Sequence, residues 1–171
     1  MAVDGPAGAS DIEIRPVTID DLEVLIDIYL DTARHHAAID PAVFHVPDRA
    51  DVAVRLTRRI ESQGDVGIYL AALIDGRMVA SGTIYLDDPP STGSMLRPIR
   101  TAEFGISVLE EARGQGIGRT LIGRLELWAA AHGVERVNLL VSEANVGAIR
   151  LYERLGYTGF DRFMRKDLVD L

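Results

Sequence analysis

The sequence predicts one α/β domain built around a mixed sheet. Three observations carry that expectation. The chain has 171 residues, 47% of them hydrophobic, which suits one core and stops short of the length at which cores split. Two apolar runs, 67–74 and 78–86, are joined through Asp75, Gly76 and Arg77. Asp-Gly between such runs signals an antiparallel hairpin, because both residues tolerate positive φ. Beyond residue 100, strand-like and helix-like patterns alternate.

Residues 1–11 are mostly Ala, Gly and small polar residues, with Asp4 and Asp11. They lack the basic start and apolar stretch of a secretory signal, so a loose tail is expected ahead of a domain spanning 12–171. Ile12, Ile14 and Val17 mark a first strand over 12–17. Thr18-Ile19-Asp20-Asp21 resembles a helix start, with a capping Thr and acids in the first turn. Leu22, Leu25, Ile26, Tyr29 and Ala33 then follow at the spacing of one helical face. Around Pro41 and Pro47 an irregular stretch is expected, containing His35, His36, Phe44 and His45. A second helix over 49–61 would turn Val52 or Ala53, Leu56 and Ile60 inward.

After the hairpin, residues 87–98 are rich in Pro, Ser and Gly and read as a surface loop. A strand is expected over 101–108 and a helix over 116–132. In that helix Leu121, Leu125, Trp128 and His132 recur at helical spacing, and Gly133 stops it. Trp128 is read as core. A strand over 134–141, a helix over 146–155 stopped by Gly156, and one or two closing strands over 157–168 complete the reading.

Composition removes several function classes. Lys and Arg total 18 against 26 Asp and Glu, a net charge of −8. Affinity for nucleic acid or anionic lipid comes largely from Lys and Arg, so neither partner is expected, although a local basic spot is compatible with this balance. Cysteine is absent, which excludes disulfides, zinc thiolate clusters and a cysteine nucleophile. The longest apolar run lies within 67–74, far short of the ~20 residues that span a bilayer. A soluble cytoplasmic protein is the expectation.

The chemistry concentrates between Glu103 and Tyr157. Arg113-Gly114-Gln115-Gly116-Ile117-Gly118-Arg119 sits between a predicted strand and a predicted helix. Three alternate glycines leave their N–H groups unshielded, and a helix N-terminus adds free donors and partial positive charge, which suits a phosphate. The dipole contributes only ~0.3–1 kcal/mol, so charge-assisted N–H bonds must supply most of the hold. Arg113 and Arg119 add charge nearby. The same glycines would also make a tight strand-to-helix turn. Two common phosphate loops are absent: G-x-G-x-x-G would need glycine at Arg119, and no Lys follows the glycines as in G-x-x-x-x-G-K-[ST].

Ile106-Ser107-Val108, the glycine segment, and Asn145-Val146-Gly147-Ala148 through Tyr152 to Gly156-Tyr157 together resemble the GNAT superfamily of N-acetyltransferases. Arg113, Gly116 and Gly118 match its acetyl-coenzyme A motif Arg/Gln-x-x-Gly-x-Gly/Ala. Asn145, Ala148, Tyr152 and Gly156 match Asn-x-x-Ala-x-x-x-Tyr-x-x-x-Gly-Phe, with Tyr157 replacing Phe. The resemblance is close from residue 101 onward; in residues 1–100 it extends only to the order of elements.

It implies a single domain with a mixed, mostly antiparallel central sheet flanked by helices, in which two parallel strands, here 101–108 and 134–141, splay around coenzyme A. It implies acetyl-coenzyme A as cosubstrate, no metal, and transfer to a primary amine by direct attack in a ternary complex. Backbone groups of Ile106 and Val108 would pair with the pantetheine arm. Arg113, Gly114, Gln115, Gly116, Gly118 and Arg119 would surround the pyrophosphate, and Asn145 would hydrogen-bond the cofactor. Tyr152 would offer its hydroxyl to the sulfur.

The residues themselves allow other roles. Ala148, Leu151, Tyr152 and Leu155 share one helical face, so Tyr152 also suits core packing. Glu103 is the candidate base for the amine, or a solvated carboxylate on an exposed face; a one-residue slip in register would reverse its side. Glu110 and Glu111 fit an exposed turn, and Asn145 fits a helix N-cap. His35 and His36 are adjacent, without the i, i+4 spacing of a helical ligand pair, so with His45 they suit the acceptor pocket or the surface better than a metal. The acceptor would be a small-molecule or peptide amine, and a homodimer is compatible with the motifs. The competing readings are a non-catalytic acyl-coenzyme A sensor and a protein-lysine or N-terminal acetyltransferase.

Overall fold

Five strands form one sheet in the order β1-β2-β3-β4-β5: Ile12–Pro16, Gly67–Ile74, Arg77–Leu86, Thr101–Val108 and Arg136–Asn138. The first three pairings are antiparallel and β4–β5 is parallel. The computed structural model describes residues 12–162 and 164–166; residues 1–11, where the tail is expected, lie outside them. Two compact units divide the chain. The first, ending at Leu140, holds the sheet with helices α1 (Leu22–Ile39), α2 (Arg49–Glu61) and α3 (Ile117–Ala131); the second, from Val141, holds α4 (Val146–Arg154).

Local chemistry sets the hairpin. Asp75 and Gly76 have φ of 50° and 75°, the paired positive angles of a type I′ turn whose twist matches its strands. Pleating then divides the side chains. Tyr69, Ala71, Leu73 and Met78 pack with Leu25, Ile26 and Ile28 of α1 and Val52 and Leu56 of α2. On α3 the buried residues are Ile117, Leu121, Ile122, Leu125 and Ala129. A Cβ added at Gly82 would sit 3.0 Å from Leu121 Cδ2 and 3.1 Å from Ile106 Cγ2. Glycine in β3 therefore lets α3 settle closely over β3 and β4, and this contact places the N-terminus of α3 beside the end of β4.

Several expectations need correction. Helix α1 begins after a short 3-10 turn, Ile19–Asp21, and continues through His35 and His36 to Ile39. Ala33, Ala37 and Ala38 favour the helix, and Asp40 ends it because a residue before proline disfavours helical angles. Strand β5 covers only Arg136–Asn138 of the expected 134–141. Among the described residues after 156 there is no strand; Tyr157, Phe160 and Met164 repeat at three and four residues, not two, and Phe160 and Met164 are exposed. Trp128 is half-buried, with its ring stacked on His132 at 3.9 Å, because the inward face of α3 runs one position away. No helix among the described residues is long and apolar enough to cross a membrane.

The entry to α1 carries a strong ion pair. Arg15 donates twice to Asp21 at 2.8 Å, and the Thr18 backbone N–H donates to Asp21 Oδ2 at 2.8 Å. The Arg15 guanidinium, chiefly, lowers the Asp21 pKa to about 2. A depressed carboxylate adds stability at neutral pH that is lost as pH falls through the folded pKa. Asp21→Asn is therefore expected to cost ~1–2 kcal/mol at pH 7, after discount for the partly exposed Arg15. In chemical denaturation at stepped pH, the gap from wild type should close as pH falls from about 4 to about 2; a gap independent of pH would refute this account.

Candidate active site

The direction of the β4 backbone groups follows from its ladder. Leu109 N–H donates to Val79 C=O at 3.0 Å, and Asp87 N–H donates to Thr101 C=O at 2.9 Å. Bonding alternates along an antiparallel pair, so odd-numbered β4 residues face β3, and Ala102, Phe104, Ile106 and Val108 direct N–H and C=O to the opposite edge. There β5 pairs only with Thr101, Ala102 and Glu103. Ile106 and Val108 thus present backbone groups on the edge of β4 that runs past the end of β5. The Val108 carbonyl accepts from Arg113 Nε at 3.0 Å.

The register also settles the side of Glu103. It stands opposite Tyr85, whose hydroxyl donates to the Arg59 carbonyl of α2 at 3.2 Å. Glu103 therefore lies on the sheet face that carries α1 and α2, and it is exposed. Ile106 points to the other face, against α3.

After β4 a 3-10 turn, Glu110–Ala112, leads into the glycine segment. Glu110 and Glu111 are exposed there, as expected, and Glu111 pairs with Arg77 at 2.9 Å. Gly114 and Gly116 have φ of 77° and 83° with open space where a Cβ would stand. Glycine is needed at both for the backbone angle, and the missing side chains leave the loop surface bare. Gln115 turns back, its Nε2 donating to the Glu111 carbonyl at 2.9 Å. Among the described residues, no amide from 114 to 119 donates to a protein acceptor. Gly116 caps α3 without a side-chain acceptor, and the first turn holds no acid. These are free donors at the positive end of a 15-residue helix, with Arg119 exposed beside them.

Arg113, the first residue of the motif, has two protein partners. Its guanidinium, one-third exposed, donates to Asp31 Oδ2 at 3.0 Å as well as to Val108. Asp31 was not legible as a site residue; its one signal is that it precedes His35 by four and so shares its helical face. Burial, and then the Arg113 charge, lowers the His35 pKa. His36 donates from Nδ1 to the Thr32 carbonyl at 2.9 Å and packs on Phe44 at 5.1 Å. No group of side chains among the described residues could hold a metal ion.

In the second unit, Asn145 caps α4, its side-chain oxygen accepting from Ala148 N–H at 3.2 Å. Tyr152 meets Tyr157 edge-on at 6.0 Å, and Tyr157 N–H donates to the Tyr152 carbonyl at 3.0 Å. Burial pushes the Tyr152 hydroxyl pKa up, which keeps the phenol protonated at neutral pH. No α4 residue is fully buried, so Tyr152 is not the closed core residue that packing alone would make.

The acetyltransferase (GNAT) family model matches residues 25–157. The chain belongs to the GNAT acetyltransferase family. Solved structures share its fold. The BH1408 protein from Bacillus halodurans, as a mutant, is 23% identical with a TM-score of 0.83, covering 92% of this chain and 99% of that one. An aminoglycoside N-acetyltransferase solved with coenzyme A is 18% identical, with a TM-score of 0.68 and coverage of 96% and 99%. A predicted acetyltransferase from Clostridium acetobutylicum, solved with acetyl-coenzyme A, is 17% identical, with a TM-score of 0.67 and coverage of 94% and 99%.

In this GNAT acetyltransferase the first unit therefore joins three features: an open β4 edge, a bare glycine loop and a carboxylate on the neighbouring face. The free amides fit the phosphates of a coenzyme A ester, since ionised oxygens are what unpaired N–H donors favour. When bound, the acyl thioester supplies the activated carbonyl.

Proposed function

We propose that this GNAT acetyltransferase transfers acetyl from acetyl-coenzyme A to a primary amine by direct attack in a ternary complex. The row of free amides at 114–119, next to an open β4 edge, carries the reading. Gly114, Gln115, Gly116, Gly118 and Arg119 hold the pyrophosphate, mostly through backbone N–H groups. Ile106 offers the pantetheine arm both a donor and an acceptor. Val108 offers its N–H, because its carbonyl is engaged by Arg113. Asn145 adds a cofactor hydrogen bond besides its cap.

An amine of reference pKa ~10.4 is mostly protonated at neutral pH, so it must lose a proton before attack. Glu103, exposed on the α1–α2 face, takes it directly or through water. Tyr152 stands as donor to the departing sulfur. The absence of cysteine excludes an acyl-cysteine intermediate. The acceptor is a small molecule or a peptide amine, and net charge −8 weakly favours cationic ones. A chain without cysteine or a membrane-spanning helix among the described residues suits work in the cytoplasm.

The test is thiol release from acetyl-coenzyme A across a panel of amines, amino acids and peptides, with coenzyme A binding followed by calorimetry. Amine-dependent release is expected. Binding without release on any amine would replace the proposal by a non-catalytic sensor, and absence of binding would refute both.

A further inference from the structure

We infer that Asp31 is a positioning residue for the glycine loop and acts through Arg113. The two residues are 82 apart in sequence. The guanidinium makes two hydrogen bonds, from Nη2 to Asp31 Oδ2 and from Nε to the Val108 carbonyl, both at 3.0 Å. Side-chain exposures of 32% for Arg113 and 19% for Asp31 keep this fork largely out of water, where a planar guanidinium with two fixed acceptors has little freedom. Val108 ends β4, and Arg113 directly precedes Gly114.

The fork therefore closes the segment from 108 to 113 on itself and ties it to the middle of α1. That tie matters because the loop that follows has few restraints of its own. Gly114 and Gly116 stand at positive φ with nothing within 4 Å of where a Cβ would stand, and glycine gives up more conformational freedom on ordering than any other residue. An anchor at the residue just before the loop removes part of that entropy before a ligand arrives. The fork also sets the charge of the motif's arginine against the Asp31 carboxylate.

The consequence for coenzyme A rests on the function proposed above, whereas the consequence for loop order does not. Asp31→Ala, Arg113→Gln and the double variant are compared by ¹⁵N relaxation without ligand and by calorimetry with coenzyme A. In Asp31→Ala, order parameters at Gly114, Gln115 and Gly116 should fall from the rigid range of ~0.85 to below ~0.6. The coenzyme A Kd should rise about tenfold, with kcat at saturating acetyl-coenzyme A within about twofold. The double variant should match Arg113→Gln alone, since both residues act through one contact. Unchanged order, effects that multiply in the double variant, or tighter binding by a released Arg113 would each overturn the inference. If wild type binds no coenzyme A, the proposed function fails, and the order parameters still decide the role of Asp31. Should Asp31→Ala not fold, Asp31→Asn takes its place: it removes the charge and keeps the shape.

Discussion

Tyr152→Phe is expected to lower kcat about 100-fold, near 2.7 kcal/mol of barrier, while the coenzyme A Kd stays within about twofold. When an amine attacks the thioester, negative charge collects on sulfur. A thiol and a phenol have reference pKa values of ~8.5 and ~10, so full transfer from phenol to thiolate is uphill by ~2 kcal/mol. Burial raises the Tyr152 pKa further, which makes complete transfer harder and keeps the donor protonated. The useful contribution is then a hydrogen bond that strengthens as charge develops, a transition-state effect that appears in kcat and not in binding. Phenylalanine keeps the ring, and with it the edge contact to Tyr157. A packing role would instead show as a lower melting temperature at unchanged turnover. The phenol also sets a pH limit: donation is available below its folded pKa and fails above it, and since burial raises that pKa, wild-type turnover should retain this donor beyond the pH at which a free phenol ionises.

Gly118→Asp is expected to weaken coenzyme A binding at least ~100-fold, about 2.7 kcal/mol, without loss of stability. Gly118 lies in the first turn of α3 and, unlike Gly114 and Gly116, has no positive φ. A side chain there meets no backbone strain. The first turn holds no acid, and a carboxylate at a helix N-terminus is favourable by ~0.3–1 kcal/mol. Thermal stability should hold or rise slightly. Yet the new carboxylate would take the amides meant for the pyrophosphate and repel its oxygens, at ~4 kcal/mol per unit charge pair 4 Å apart near a protein surface. Calorimetry and melting curves on one preparation separate the two effects. Binding within about threefold of wild type would remove the glycine loop from the cofactor site.

Much of the fold and of the candidate site is legible in the order of the residues. Asp75-Gly76 marks its hairpin, and Gly133 and Gly156, with φ of 72° and 92°, end the helices they were expected to end. Asn145 is legible as a cap, and the glycine loop falls between the strand and helix predicted for it. The misses have a common cause. Strand β5 is three residues long, set by where β4 offers it a partner and not by the apolar content of 134–141. Helix α1 passes through the histidines because its alanines continue the helix, which apolar periodicity alone does not detect. The contacts of Arg113 to β4 and α1 were not legible, because no local pattern reports a partner 82 residues away.

The sequence by itself determined the turns, the caps, the bare glycine loop and the absence of cysteine chemistry, because each depends on residue type or on residues within a few positions of one another. Its net charge of −8 never opposed a phosphate site, since oriented amides act at contact distance and distant acids are screened within ~8–10 Å. The tertiary structure alone decided which face Glu103 occupies, which edge Ile106 and Val108 open, and that Asp31 reaches Arg113. Those facts depend on strand register and on helices crossing the sheet, where one residue of slip reverses a side chain and residues 82 apart come to share a hydrogen bond.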